Sequence, residues 1–179
     1  LAEDMTVGLI SNTHKACDDL LEWIMLAFGQ PYVGFSRVAL FDSFQRFLIA
    51  EYAAGRRVVL IIDEAQNLNP ASLEALRMLS NINADNHQLL QMILVGQPQL
   101  KTLLRQPELL QFAQRVAVDF HVTPLQPAEV ADYIRHRLAV AGRTTSLFSP
   151  EACERIALAS RGIPRSINIL CDTALVYGF

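Results

Sequence analysis

Residues 58–62 read VVLII, an aliphatic run without polar interruption, and two carboxylates, Asp63 and Glu64, follow it directly. A short run of this kind predicts a strand that is buried on both faces, as in a parallel sheet. Open α/β sheets usually bind ligands at the carboxyl ends of their strands. Asp63 can hold a hydrated Mg²⁺ there, and Glu64 can orient or deprotonate an attacking water. The alternative is a strand that merely ends in a solvated acidic turn.

The segments around this run alternate between helical and strand patterns. Short apolar runs predict further strands over residues 6–10, 91–95 and 116–120. Helical spacing of apolar residues predicts helices over residues 15–28, 36–55, 69–79 and 100–112. Ser36 and Asn69 are the expected caps, and Pro107 interrupts the last of these helices. The order predicts an α/β fold, with a mainly parallel sheet covered by helices on both faces.

After residue 123 the pattern changes to helices alone. Each begins at a proline, and the helices are expected over residues 127–142, 150–162 and 164 onward. We therefore predict two domains, an α/β core over residues 1–122 and a small helical subdomain over residues 123–179.

Charge and hydropathy exclude some kinds of partner for this piece. The net charge is −3, so bulk attraction to nucleic acid or to anionic lipid is not expected. The longest strictly aliphatic run is residues 58–62, whereas a membrane helix needs roughly 20 apolar residues. No membrane segment is predicted in this piece.

The cysteines and histidines do not predict a metal site. The cysteines are odd in number and widely spaced in apolar patterns, which suits buried thiols in the reducing cytosol of a bacterium or archaeon: Cys17, Cys153 and Cys171. The histidines lack the spacing of metal ligands: His14, His87, His121 and His136.

Four ordered segments carry a resemblance to a known family. VVLIIDEAQNL resembles a Walker B segment, LLQMILVGQPQL a sensor 1 strand, LLQFAQRVAVDFHVTPL an arginine-finger region with the strand after it, and SRGIPRSINILCD a sensor 2 helix. Together they resemble AAA-type P-loop ATPases over nearly the whole chain, specifically the general secretion pathway protein A group. The sequence of residues 74–100 is also similar to that of the branch found in exopolysaccharide and protein-sorting gene clusters.

The resemblance implies a fold and a function. The fold is a P-loop NTPase core with a C-terminal helical lid, and the cofactors are ATP and Mg²⁺. The implied activity is ATP hydrolysis that serves export or assembly at the bacterial envelope. The implied partners are further copies of the chain and an envelope secretion or polysaccharide-assembly protein, and the implied location is the cytoplasm, at the inner face of the inner membrane.

Family roles transfer to individual positions. Asp63 would bind Mg²⁺ through water, and Glu64 would act on the attacking water. Gln97, after the sensor 1 strand, would contact the γ-phosphate or that water, or it is a turn residue before Pro98.

Three more positions take roles from the family. Arg115 matches an arginine finger that reaches a neighbouring subunit's nucleotide, unless it is a solvated arginine at a helix end. Arg165, in the GxPR signature, would swing onto the phosphates when the lid closes, unless it only forms a salt bridge. Asn12 resembles a polar residue that holds the catalytic glutamate inactive, although a turn asparagine explains it as well.

The phosphate-binding loop of the family is missing from this sequence. No G-x-x-x-x-G-K-[ST] motif occurs, and neither of the two lysines, Lys15 and Lys101, follows a glycine. We expect the first strand and the loop to lie upstream of residue 1 and the lid to be incomplete at residue 179; a dead ATPase is the alternative. Because family sheets run in the order 5-1-4-3-2, the missing strand would lie between residues 91–95 and 116–120. Residues 1–179 alone are therefore expected to be inactive, to bind ATP at best weakly and to be poorly soluble or molten.

Three other functions are compatible with parts of this sequence. DEAQ also resembles the second motif of RNA helicases, but those follow the next strand with Ser-Ala-Thr, and here Gly96, Gln97 and Pro98 follow. A DNA-associated AAA-type ATPase of the transposition or loader type is disfavoured by the net charge of −3. A non-hydrolysing adaptor with the same fold stays open.

Overall fold

The computed structural model describes residues 4–11, 19–84, 87–143 and 145–178. The chain forms two compact units, Leu1–Val118 and Asp119–Phe179. The predicted division after residue 122 falls just inside the second unit.

The first unit is built on a parallel sheet. Its strands are β1 (Met5–Ile10), β2 (Arg57–Ile62) and β5 (Leu90–Leu94), in the order β1-β2-β5. Two short strands, β3 (Asn83–Ala84) and β4 (His87–Gln88), form a separate antiparallel pair. Ile62 aligns with Ile10 on one side and with Leu94 on the other, so the three strands end together. Three of the four predicted strands and the parallel arrangement are confirmed.

The described residues of this unit form five α-helices: α1 (Leu20–Ala27), α2 (Arg37–Ala53), α3 (Pro70–Leu79), α4 (Gln99–Leu104) and α5 (Leu110–Ala113). The predicted caps are confirmed, because Ser36 Oγ accepts from Ala39 N–H at 3.3 Å and Asn69 Oδ1 accepts from Ser72 N–H at 2.7 Å. A 3₁₀ turn, Pro107–Leu109, separates α4 from α5 where the proline predicted a break.

The core lies on one face of the sheet. Ile10, Leu60, Ile62 and Leu90 point to this face and are at most 4% exposed. They pack with apolar residues of the helices: Leu20, Ile24, Leu40, Phe44, Leu73 and Leu76.

The opposite face of the sheet is more open to solvent. By strand alternation Leu9 and Ile93 lie on that face, and they are 58% and 49% exposed. Ile61 of β2 aligns with both and is half-buried, and Val59 of the same strand face is buried but lies outside the main core cluster. The two faces of the sheet therefore differ strongly in burial.

Polar contacts of Glu51, which we call the Glu51 clasp, join α2 to the start of the sheet. Arg56, just before β2, donates to Glu51 of α2 through Nε at 2.8 Å and Nη2 at 2.5 Å. The Thr6 hydroxyl of β1 donates to the same carboxylate. The hydrogen bonds from Arg56 are the main cause that lowers the pKa of Glu51 from 4.5 to about 2.

The expectation of a strand over residues 116–120 is wrong. Residues 116–124 have no regular secondary structure, and Val118 and Phe120 are 82% and 83% exposed. A strand needs a neighbour to accept its backbone hydrogen bonds, and no strand among the described residues pairs with this segment.

The described part of the second unit contains α6 (Pro127–Val140), α7 (Pro150–Ser160) and α8 (Pro164–Tyr177), and the three proline-initiated helices are confirmed. Its core contains Val130, Ile134, Ile156, Ala157 and Ile167. Gly162, at a φ of +71°, follows α7, and an added Cβ would lie 2.0 Å from the Leu125 carbonyl oxygen. The glycine of the GIPR segment is thus required by packing. Among the described residues, no helix is long and apolar enough to cross a membrane.

Candidate functional site

The backbone around Asp63 and Glu64 is held by both neighbouring strands. Asp63 N–H donates to the Ile10 carbonyl at the end of β1, 2.8 Å away. Ala65 N–H donates to the Val95 carbonyl beyond β5, 2.9 Å away. The two carboxylates therefore lie at the carboxyl edge of the sheet, between its two outer strands, as the sequence predicts.

Glu64 adopts a backbone conformation that is unusual for a residue with a side chain. Its φ of 52° and ψ of 33° fall in the left-handed region, which costs a non-glycine residue about 1 kcal/mol or more. The Asp63 carboxylate stabilises this turn, because its Oδ1 accepts from Glu64 N–H at 2.8 Å. Asp63 is half-buried and Glu64 is exposed, so the turn presents Glu64 outward from the strand end.

Two glutamine side chains meet the Glu64 carboxylate. Gln66 Nε2 donates to Glu64 Oε2 at 2.5 Å, and Gln97 Nε2 lies 3.5 Å from the same oxygen, at the outer limit of a hydrogen bond. Gln66 Oε1 in turn accepts from the backbone N–H of Gln97 at 2.9 Å. Asp63, Glu64 and Gln97 are thus brought together in the structure.

Sequence reasoning missed Gln66. It follows Glu64 by two positions in the DEAQ tetrad, and a polar amide at that distance was the available signal. Nothing in the sequence indicated that its side chain would reach the turn after β5, because that contact spans 31 positions.

Arg115 lies away from the carboxylates in the first unit, after α5. Its Nη1 donates to Ser80 Oγ at 3.1 Å, and that hydroxyl donates to the Arg77 carbonyl at 2.7 Å. Ser80 is buried, at 4% exposure, and caps the C-terminal end of α3, where a cation is favourable. The guanidinium is held at one end while Arg115 as a whole stays exposed.

Two further site residues were predicted, Arg165 and Asn12. Arg165 occupies the first turn of α8 in the second unit and is exposed. Asn12 lies outside the described residues.

The side chains at this site fit a hydrated Mg²⁺ better than a metal ion whose ligands all come from the protein. Among the described residues no group of three or more His, Cys, Asp or Glu side chains is clustered as metal ligands would be. Magnesium commonly takes one or two carboxylates and completes its octahedral shell with water and phosphate oxygens. Asp63 at the strand end satisfies that requirement.

An apolar groove of about 310 Å³ lies between α1, α2 and α3. Its lining includes Ile24, Val38, Phe41 and Met78, with one cation, Arg37. None of the site residues lines it, and its apolar walls do not suit a polyphosphate.

Comparison with known proteins agrees with this geometry. The model of the AAA domain family matches residues 4–104. The chain is 42% identical over 180 aligned residues to general secretion pathway protein A of Aeromonas hydrophila, a match that includes the whole chain. The chain spans 33% of that protein's length. The resemblance to this group is confirmed.

Solved structures show the same fold. The ORC2 protein of Aeropyrum pernix in its ADP form superimposes with a TM-score of 0.70 at 16% identity, over 97% of this chain and 49% of that one. The same protein in ADPNP-ADP complexes gives a TM-score of 0.67 at 14% identity, over 99% of this chain and 49% of that one. The α/β fold of P-loop type is confirmed, and the chain belongs to the AAA domain family.

Proposed function

We propose that the full-length protein binds and hydrolyses ATP and that hydrolysis drives or regulates export at the bacterial envelope. One observation carries the proposal. In a chain of the AAA domain family, the Asp63 and Glu64 carboxylates are held at the carboxyl edge of a parallel sheet, with the turn after β5 beside them.

The two carboxylates take different tasks. Asp63 would hold Mg²⁺ through water, and a bound Mg²⁺ would neutralise charge on the phosphate oxygens. Glu64 is exposed and extends from the turn, so it can orient a water and accept its proton. Gln97, whose Nε2 lies 3.5 Å from the Glu64 carboxylate, would share that water or contact the γ-phosphate.

The phosphate-binding loop would come from a segment outside residues 1–179. Among the described strands β5 has one neighbour, and on the more open sheet face Leu9 and Ile93 are 58% and 49% exposed. A further strand beside β5, followed by a helix on that face, would cover both surfaces. The loop between them would then start at the carboxyl edge where Asp63 lies.

Arg115 and Arg165 are proposed as cations for the phosphates. Arg115 would act on the nucleotide of a neighbouring copy in a homo-oligomer, and its contact with Ser80 would fix the guanidinium's approach. Arg165 would reach the nucleotide when the helical unit closes as a lid.

The role in secretion rests on the 42% identity to general secretion pathway protein A. We propose an envelope secretion protein as partner and the cytoplasmic side of the inner membrane as the place of action. A role in exopolysaccharide assembly is a narrower form of the same proposal. It rests on the resemblance of residues 74–100 to the exopolysaccharide branch of the family.

Two variants of the full-length protein test the division of tasks. Glu64→Gln should keep Mg²⁺-dependent ATP binding while turnover falls about 10²-fold or more, because the general base is lost. Asp63→Ala should lose the Mg²⁺-dependent part of binding. Equal loss of binding in both variants would contradict these roles.

A mixing experiment tests Arg115. Arg115→Ala protein and Glu64→Gln protein should each be inactive, and mixed assemblies should recover some hydrolysis, since each copy supplies the group that the other lacks. No recovery in assemblies that demonstrably mix would mean that Arg115 is structural.

A further inference from the structure

Gln66 connects the turn after β5 to the Glu64 carboxylate, in addition to the 3.5 Å approach of Gln97 Nε2 to the same carboxylate. Its amide bonds in two directions, with Nε2 toward Glu64 Oε2 at 2.5 Å and Oε1 toward Gln97 N–H at 2.9 Å. The orientation of the amide follows from chemistry. A backbone N–H can only donate and an ionised carboxylate can only accept, so Oε1 must face Gln97 and Nε2 must face Glu64.

The surroundings leave little room for another arrangement. Gly96 lies against this side chain, since an added Cβ would come 2.7 Å from Gln66 Oε1 and 3.3 Å from Gln66 N. The backbone on both sides is also held, through Ala65 N–H to the Val95 carbonyl at 2.9 Å. The Gln66 amide is therefore confined between two turns that both belong to the candidate site.

We propose that Gln66 is a positioning residue that couples the turn at Gly96 and Gln97 to the Glu64 carboxylate. The proposal rests on the function proposed above. If Gln97 moves when a γ-phosphate binds, the Gln66 amide that is hydrogen-bonded to it would move as well. The Glu64 carboxylate, which accepts from that amide, would then rotate. The glutamate would then be aligned with the attacking water only when the turn after β5 has engaged nucleotide.

The test uses three variants of the full-length protein and one control. Gln66→Met keeps the length of the side chain and removes both hydrogen bonds. Gln66→Glu keeps an acceptor for Gln97 N–H but replaces the donor to Glu64 with a carboxylate oxygen. Gly96→Ala retains the Gln66 residue, but the added methyl group forces its amide to shift. Gln45→Met, on the exposed surface of α2, is the matched control.

We expect kcat to fall about 10- to 100-fold in Gln66→Met and Gln66→Glu, with KM for ATP within about threefold of wild type, because alignment is lost and binding is not. Gly96→Ala should show a smaller fall in kcat, and Gln45→Met none. A wild-type kcat in any of the first three variants overturns the proposal. So does a fall in kcat that is matched by an equal rise in KM.

Amide hydrogen exchange separates this proposal from the proposed ATPase function. Exchange at Gln97 N–H should be faster in Gln66→Met than in wild type or Gln45→Met, whether or not the protein hydrolyses ATP. If the wild-type protein has no ATPase activity, the proposed function fails, and the exchange result then decides the Gln66 contact alone. Unchanged exchange at Gln97 overturns it.

Discussion

Two segments of this chain have strand-like sequences and different structures. Residues 58–62 belong to β2, in which Val58, Val59, Leu60 and Ile62 are at most 4% exposed. Residues 116–122 alternate apolar and other side chains in the pattern of a half-buried strand, yet Val118, Phe120 and Val122 are at least 80% exposed.

The difference lies in the neighbours. β2 pairs with β1 on one side and β5 on the other, and helices cover the face that carries Leu60. No described strand pairs with residues 116–122. A strand-like sequence pattern therefore only favours a strand. The strand forms only where another backbone satisfies its hydrogen-bond donors and acceptors.

The largest expected effect tests the buried member of the pair. Leu60→Ala in the full-length protein should lower the free energy of unfolding by about 2–5 kcal/mol, because it leaves a cavity at a fully buried site. Leu158→Ala, at a position 79% exposed on α7, is the matched control and should change it by less than about 0.5 kcal/mol. Denaturant unfolding measures both values. Equal small effects would mean that β2 is not the centre of the core.

A matched valine pair tests whether residues 116–122 acquire a partner. Val58→Ala should cost about 1–3 kcal/mol in the full-length protein. If an upstream strand pairs with the segment, Val118→Ala should cost a comparable amount there, although Val118 is 82% exposed in this structure. A change below about 0.5 kcal/mol for Val118→Ala would argue against such a strand.

The Glu51 clasp makes the buried sheet sensitive to acid. The pKa of Glu51 is lowered from 4.5 to about 2, mainly by its hydrogen bonds with Arg56, so its contribution to stability is present above about pH 4.5. The contribution is lost as the pH falls from about 4.5 toward 2. Glu51→Gln should therefore flatten the dependence of the unfolding free energy on pH in that range. Asp42→Asn removes an exposed carboxylate from the same helix and should change the slope much less.

The smallest expected effect concerns the start of α3, just after the candidate site. Asn69→Ala removes the side chain that accepts from Ser72 N–H and should cost about 1 kcal/mol. Asn69→Asp keeps an acceptor and should cost less. If the two variants lose equal stability, the hydrogen bond is not the source of the effect.

The sequence allowed the regular elements to be predicted because their signals are local. The caps Ser36 and Asn69, the prolines that start α6 to α8 and the apolar run of β2 each act through near neighbours in sequence. The position of Asp63 and Glu64 followed as well, since the end of a buried strand defines it.

Features that depend on distant parts of the chain were not predictable in the same way. Residues 116–120 failed to form a strand because their backbone has no described partner. The contact of Gln66 with Gln97, and that of Arg115 with Ser80, join residues 31 and 35 positions apart and depend on how the elements pack.

Measuring ATP binding distinguishes the full-length protein from residues 1–179. We expect the full-length protein to bind ATP with Mg²⁺ at micromolar concentration. Residues 1–179, which contain no G-x-x-x-x-G-K-[ST] loop, should bind at least about 100-fold more weakly, because that loop supplies most of the contacts to the phosphates. Calorimetric titration of both polypeptides gives the two constants. Micromolar binding by residues 1–179 alone, or none by the full-length protein, would contradict the account.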